Sequence, residues 1–118
     1  EVYEQGYSKL FSPAGIGHYI GLQVHDIGNT LLDEDGTLIE KSEEHPFLRL
    51  RKDIEVGNVF TIEPGIYIID QLLKPHYGKK EFNWDVIEKF RPYGGARVED
   101  SVYVNEDGIE NLTRPYIN

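Results

Sequence analysis

Val59-Phe60-Thr61-Ile62-Glu63-Pro64-Gly65-Ile66-Tyr67-Ile68-Ile69 is the stretch that decides how the chain is read. Almost every position is apolar, β-branched or aromatic. Such a run predicts a strand covered on both faces and placed in the core. Glu63 interrupts it. An ionised carboxylate buried without a partner costs several kcal/mol, so Glu63 requires a cation, strong donors or a site open to water. Pro64 offers no N–H to a sheet ladder, and Gly65 has no side chain to pack. The backbone is therefore expected to leave regular pairing beside the carboxylate and to aim it into a site.

A second strand is expected over Ala96-Arg97-Val98-Glu99-Asp100-Ser101-Val102-Tyr103-Val104, which alternates in period two. Ala96, Val98, Val102 and Val104 would share one face, and Arg97, Glu99, Ser101 and Tyr103 the other. Asp107-Gly108 then turns the chain, with Ile109 to Thr113 as its hairpin partner. Asn83 or Asp85 is placed to cap a short helix from Trp84 to Phe90, with Trp84, Ile87 and Phe90 facing inward. Val2 to Leu10 reads as the end of a helix, broken by Phe11-Ser12-Pro13. Three glycines in Gly15 to Asp26 disfavour a helix there and predict an irregular loop leading into an extended segment. Gly28 to Pro46 is polar and acidic, a surface excursion or flap with a turn at Asp35-Gly36.

The 118 residues suffice for one domain with a core. Apolar residues make up 39% and aromatics 12%, which is a globular composition. A net charge of −9 argues against nucleic acid or an anionic membrane as partner and suits a divalent cation. The absence of cysteine removes disulfides and thiolate metal sites and fits a reducing, cytoplasmic setting. No apolar run approaches the ~20 residues that span a bilayer. The chain contains no Met and opens in mid-element, so it reads as a fragment whose natural start lies upstream of Glu1.

Glu63 and Glu99 are the two carboxylates carried on the expected strands. His18 and His25 flank a glycine-rich loop. Together they form a hard-donor set suited to Mn, Co, Zn or Fe in the +2 state. Taken singly, each residue has a plainer explanation. Arg97 and Glu99 suit an ion pair. Glu63 suits a buried hydrogen-bond acceptor, His18 a turn and His25-Asp26 a local pair. His45 and His76 lie in polar loops and are expected to be solvated. Gly15-Ile16-Gly17 lacks the strand–turn–helix setting and the lysine of a phosphate loop.

The order of four motifs adds to this. Gly15-Ile16-Gly17-His18, Gly21-Leu22-Gln23-Val24-His25-Asp26, Thr61-Ile62-Glu63-Pro64-Gly65-Ile66-Tyr67 and Gly95-Ala96-Arg97-Val98-Glu99-Asp100 resemble the motif set of the pita-bread metallopeptidases. His45-Pro46-Phe47-Leu48-Arg49 and the run from Asn83-Trp84 to Pro92-Tyr93-Gly94-Gly95 are similar to the bacterial Xaa-Pro dipeptidases, or prolidases. The resemblance extends from about Phe11 to Arg114.

The resemblance implies an α+β fold: half of a pita-bread (creatinase/aminopeptidase) domain, a curved, mainly antiparallel sheet backed by helices. Residues 1–118 would be the C-terminal part of one catalytic domain. It also implies two divalent ions, usually Mn²⁺, with His18 and Glu63 on one metal and Glu99 bridging both. His25 would lie near the substrate and help stabilise the tetrahedral intermediate. Arg97 would orient the bridging carboxylate or meet the substrate. The implied reaction is hydrolysis of a dipeptide ending in proline, with Glu63 shuttling a proton. A proline amide has no N–H and bends the chain, so a pocket can select its shape. Two features depart from the family. Its two further aspartate ligands fall upstream of this chain, so the 118 residues alone are expected to be inactive and to self-associate through exposed apolar surface. Ala14 stands where prolidases usually have a substrate-facing His. Organophosphorus acid anhydrolases share the scaffold and are the alternative enzyme; a metal-free binding protein on the same fold is the alternative outside catalysis.

Overall fold

In a computed structural model of the chain, residues 3–117 are described. The start of the segment read from Val2 lies outside them. Tyr3 to Tyr7 forms turns rather than helix, and a single helical turn, α1, Ser8–Phe11, ends at Ser12. Two compact units emerge. One combines the chain up to Pro13 with Gly65–Arg97, and the other combines Ala14–Pro64 with Val98–Asn118.

The predicted central strand is two strands: β1, Val59–Ile62, and β2, Gly65–Tyr67. Glu63 and Pro64 separate them, as the missing N–H of proline requires. The expectation of cover on both faces does not hold throughout. Phe60 and Thr61 are buried, whereas Ile62 and Ile66 are exposed. The second predicted strand also divides, into β3, Gly95–Arg97, and β4, Asp100–Asn105. Val98 and Glu99 fall in the gap, and Val98 is 54% exposed. Neither residue breaks a strand by its own chemistry. The break opposite comes from Glu63-Pro64, because a ladder interrupted on one strand loses its partner on the other.

In the second unit, β1, β4 and β5 (Gly108–Asn111) form an antiparallel sheet in the order β1-β4-β5. β1 pairs with β4 from Val59 opposite Tyr103 to Ile62 opposite Asp100. β4 and β5 are the predicted hairpin, with Asn105 opposite Gly108, whose φ of +137° favours glycine. Phe60 and Val102 face each other and pack with Tyr19, Leu50 and Val104 as the core of this unit. Thr61 and Ser101 point to the opposite face.

In the first unit, β2 pairs antiparallel with β3. α2, Asp70–Leu73, and α3, Trp84–Phe90, contribute Leu73 and Ile87 to a core with Phe82 of the loop between them, and Tyr7, Leu10, Phe11, Ile68 and Trp84 pack around it. The Asn83 side chain caps α3 by accepting the Val86 N–H at 3.2 Å. Phe90, expected inward, is 57% exposed. α3 is only two turns long, and Trp84 and Ile87 already occupy its inward face. His76, expected in solvent, is half-buried against the rings of Tyr7 and Phe82. His45 remains exposed, as read from its polar loop. Among the described residues, no helix is long and apolar enough to cross a membrane.

Candidate metal centre

The segment carrying His18 lies along β1. Ile20 N–H donates to Val59 O (3.0 Å), Thr61 N–H to His18 O (2.8 Å) and Glu63 N–H to Ile16 O (2.8 Å). This extended piece is shorter than the sequence suggested, a single bridge between Tyr19 and Phe60. Gly17 permits the approach. A Cβ there would fall inside the contact distance of the Thr61 carbonyl oxygen, so only glycine lets the segment lie so close.

His18 is 2% exposed. Its Nδ1 lies 3.0 Å from the Tyr19 carbonyl oxygen. A carbonyl only accepts, so Nδ1 carries a proton. Nε2 then turns to Glu63 Oε1, at 3.3 Å. With Nδ1 protonated, a neutral ring would set a nitrogen lone pair against a carboxylate lone pair. A proton shared between the two atoms, or a cation held by both, makes that approach favourable. Ring orientation by an Nδ1–H bond to a backbone carbonyl is the arrangement found around metal-ligating histidines.

Thr61 joins the two groups. Its buried hydroxyl accepts the His18 N–H at 3.0 Å and donates to Glu63 Oε1 at 3.2 Å. Glu63 is mostly enclosed, with 12% of its side chain exposed. A Val98 N–H to Pro64 O bond of 3.2 Å extends the β1–β4 pairing beyond Asp100, which puts Glu63 and Glu99 at opposed positions. One ligand atom each from His18, Glu63 and Glu99 lies within 4.8 Å of the others. One imidazole and two carboxylates at this spacing can hold a divalent ion of the Mn, Fe, Co or Zn type.

His25 is exposed, and its ring stands edge-on to that of His18, centroids 4.4 Å apart at 80°. The structure therefore gathers His18, His25, Glu63 and Glu99 within one unit. Arg97 ends β3 in the other unit. Asp26, an alternative partner for His25, instead accepts the Gly28 N–H at 2.9 Å. Beside the centre, Asp100 takes Arg114 Nε at 2.9 Å and Asn111 Nδ2 at 3.1 Å on Oδ2. The hydrogen bond from Arg114 chiefly holds the Asp100 carboxyl below its ordinary value; desolvation opposes it, and the Asn111 hydrogen bond and the Arg114 charge add smaller lowering effects. Sequence reading passed over Asn29, which is buried behind the His18 segment. Its only local signal is the Asp26-x-x-Asn29 spacing of a turn.

The sequence pattern of metallopeptidase family M24 matches residues 1–106. The chain belongs to this family. It is 58% identical over 113 residues to Xaa-Pro dipeptidase 2 of Idiomarina loihiensis, covering 96% of this chain and 26% of that protein. It is 50% identical over 117 residues to the Xaa-Pro dipeptidase of Aeromonas hydrophila, covering 97% of this chain and 27% of that protein. The M24 chain thus spans about a quarter of the length of these relatives. Among solved structures, an aspartate-to-alanine variant of Escherichia coli aminopeptidase P superposes with a TM-score of 0.61 at 27% identity, covering 99% of this chain and 20% of that one. Zn-substituted E. coli aminopeptidase P in complex with product gives a TM-score of 0.58 at 27% identity, over 99% of this chain and 20% of that one. The expected pita-bread fold of α+β type is therefore that of this M24 chain.

Proposed function

We propose that these 118 residues are the C-terminal part of a single metallopeptidase catalytic domain, and that the full-length protein is an Xaa-Pro dipeptidase. The observation that carries this reading is the turn of His18 Nε2 onto Glu63 Oε1 while Nδ1 is committed to Tyr19 O. His18, Glu63 and Glu99 would hold the divalent metal, and Mn²⁺ is the ion we assign. When bound, the metal supplies an activated water and polarises the scissile carbonyl.

The rest falls to the chain's own groups. Tyr19 O fixes the His18 ring, and Thr61 fixes Glu63 Oε1. Glu63 receives the proton of the attacking water and passes it to the departing proline nitrogen, which as a tertiary amide nitrogen must be protonated to leave. His25 donates to the substrate carbonyl oxygen as negative charge develops there. Arg97 orients the Glu99 carboxylate or meets the substrate carboxylate. The 50–58% identity to named Xaa-Pro dipeptidases supports the substrate class. We also assign the full-length protein a cytoplasmic location and a homodimeric state. Light scattering and cell fractionation check these two points.

The decisive test uses the full-length protein, stripped of metal and reloaded separately with Mn²⁺, Co²⁺, Zn²⁺ and Fe²⁺. Hydrolysis of an Xaa-Pro dipeptide should be greatest with Mn²⁺. Glu63→Gln and Glu99→Gln keep side-chain shape and remove charge, so bound metal and turnover should fall together. Unchanged metal stoichiometry in both variants would refute the ligand assignment. Hydrolysis of an organophosphate in preference to the dipeptide would refute the substrate.

A further inference from the structure

Asn29 is the buried polar side chain of this unit that the proposed chemistry leaves unused, at 4% exposure. Both ends of its amide are engaged. Oδ1 accepts the Tyr19 N–H at 2.7 Å, and Nδ2 donates to the Asp26 carbonyl oxygen at 2.5 Å. Its main chain is held as well, with the carbonyl accepting from Arg51 N–H at 3.1 Å. Asn29 therefore ties together the two strands of a loop neck. Tyr19 and Asp26 already meet through an Asp26 N–H to Tyr19 O bond of 3.2 Å. Residues 20–25, with His25 at the end, lie between them.

The Tyr19 carbonyl has two duties. It takes the Asp26 N–H, and it takes the His18 Nδ1 proton at 3.0 Å. Asn29 grips the N–H of the same residue. The amide of Asn29 thereby fixes the path of the backbone leading from His18 through Tyr19, and with it the carbonyl that aims the His18 ring. The donor arm holds Asp26, the residue after His25, whose ring rests edge-on against His18. One buried amide thus controls both imidazoles from behind.

We infer that Asn29 is a positioning residue for the His18–His25 pair: its acceptor arm sets the direction of His18 Nε2, and its donor arm sets the stance of His25. The inference rests on the metal-centre reading, and the experiment separates the two. Full-length protein is stripped of metal and titrated with Co²⁺, with the visible absorption bands followed as a report on ligand geometry. Thermal unfolding is measured on the metal-free forms.

Asn29→Ala loses both arms. It should weaken Co²⁺ binding about tenfold or more, in the range seen when partners of metal-ligating histidines are removed, and should shift the absorption bands. Asn29→Asp keeps an acceptor for the Tyr19 N–H and sets a carboxylate oxygen against the Asp26 carbonyl. It should bind Co²⁺ within about threefold of wild type, below the loss expected for a missing partner, while kcat falls through His25. Ile87→Val, in the core of the other unit, is the control for stability lost without a change in the centre. Glu63→Gln is the control for the centre itself. Wild-type Co²⁺ affinity and bands in Asn29→Ala, with Glu63→Gln weakened, would overturn the role of Asn29 alone. Wild-type affinity in both would overturn the metal centre and the inference with it. An equal loss of affinity in Ile87→Val would reduce Asn29 to a stabilising residue.

Discussion

Thr61→Val is the most informative change that avoids every proposed ligand. Valine has the shape of threonine, so the Phe60–Val102 packing behind it is preserved. The hydroxyl is lost, and two bonds go with it: acceptance of the His18 N–H at 3.0 Å and donation to Glu63 Oε1 at 3.2 Å. The first loss leaves a buried N–H unsatisfied, at a cost of about 1–3 kcal/mol to folding. The second frees Glu63. A hydrogen bond to a charged group contributes about 1.5–3 kcal/mol. If that contribution holds the carboxylate in its metal-binding pose, the dissociation constant should rise about ten- to a hundredfold, at about 1.4 kcal/mol per decade. Thr61→Ser keeps the hydroxyl and gives up one methyl, about 0.8 kcal/mol of burial, so its metal affinity should change by no more than about fourfold. The assay is calorimetric titration of the metal-free full-length protein with Mn²⁺, with unfolding measured in parallel. Serine weakening the ion as much as valine, or valine binding it as wild type does, would refute the idea that this hydroxyl sets the carboxylate.

Ala14→His restores an imidazole at an exposed position and should raise kcat/KM for an Xaa-Pro dipeptide about ten- to a hundredfold without changing metal content, if it contributes one charge-assisted bond in the transition state. A loss of rate on steady-state assay would mean the pocket has adapted to alanine. The Asp100–Arg114 pair predicts a pH dependence. Because the folded carboxyl titrates below its ordinary value of 3.8, the unfolded chain takes up the proton first as pH falls. Its stabilisation is whole above about pH 4 and fades as pH drops through the lower folded value. Arg114→Leu should therefore flatten the acid limb of stability against pH, followed by circular dichroism, and an unaltered limb would count against the pair.

The sequence made the strands, the hairpin and the capped helix legible because each rests on local chemistry. Period-two alternation, Asp107-Gly108 and Asn83 act within a few residues. The break at Glu63-Pro64 was legible for the same reason. The matching break at Val98-Glu99 was not, since nothing in those residues interrupts a strand and the cause lies across the ladder. His76 looked solvated because its immediate neighbours in sequence are polar, but the fold brings it against Phe82, six residues on, and against Tyr7 from the other end of the unit's sequence. Asn29 was hidden in the same way, a polar residue in a polar run whose decisive partner is the Tyr19 N–H. In the candidate site, residue types and motif order singled out His18, His25, Glu63 and Glu99. The hydrogen bonds that aim them could be read only from the fold.

The register itself bears on whether a cation belongs at this place. β1 and β4 pair without slip to Ile62 and Asp100, and the Val98–Pro64 bond carries the alignment past them. Glu63 and Glu99 therefore oppose each other as a cross-strand pair. Like charges in that relation are destabilising, and burial of one of them makes the repulsion stronger. A chain selected only for folding would relieve it cheaply with glutamine, or with a one-residue slip that turns a carboxylate to the other face. Instead the second unit surrounds the pair with supports that keep it in place: Thr61 on Glu63, Tyr19 O on His18, and glycine at position 17 so that the His18 segment can reach β1. Carboxylates held at opposed positions by their neighbours are expected where a positive charge is to be bound, because groups already in place need little reordering when an ion is taken up. The repulsion also ranks the variants. Glu99→Gln should relieve it and stabilise the metal-free protein while weakening the ion, whereas Thr61→Val should weaken both.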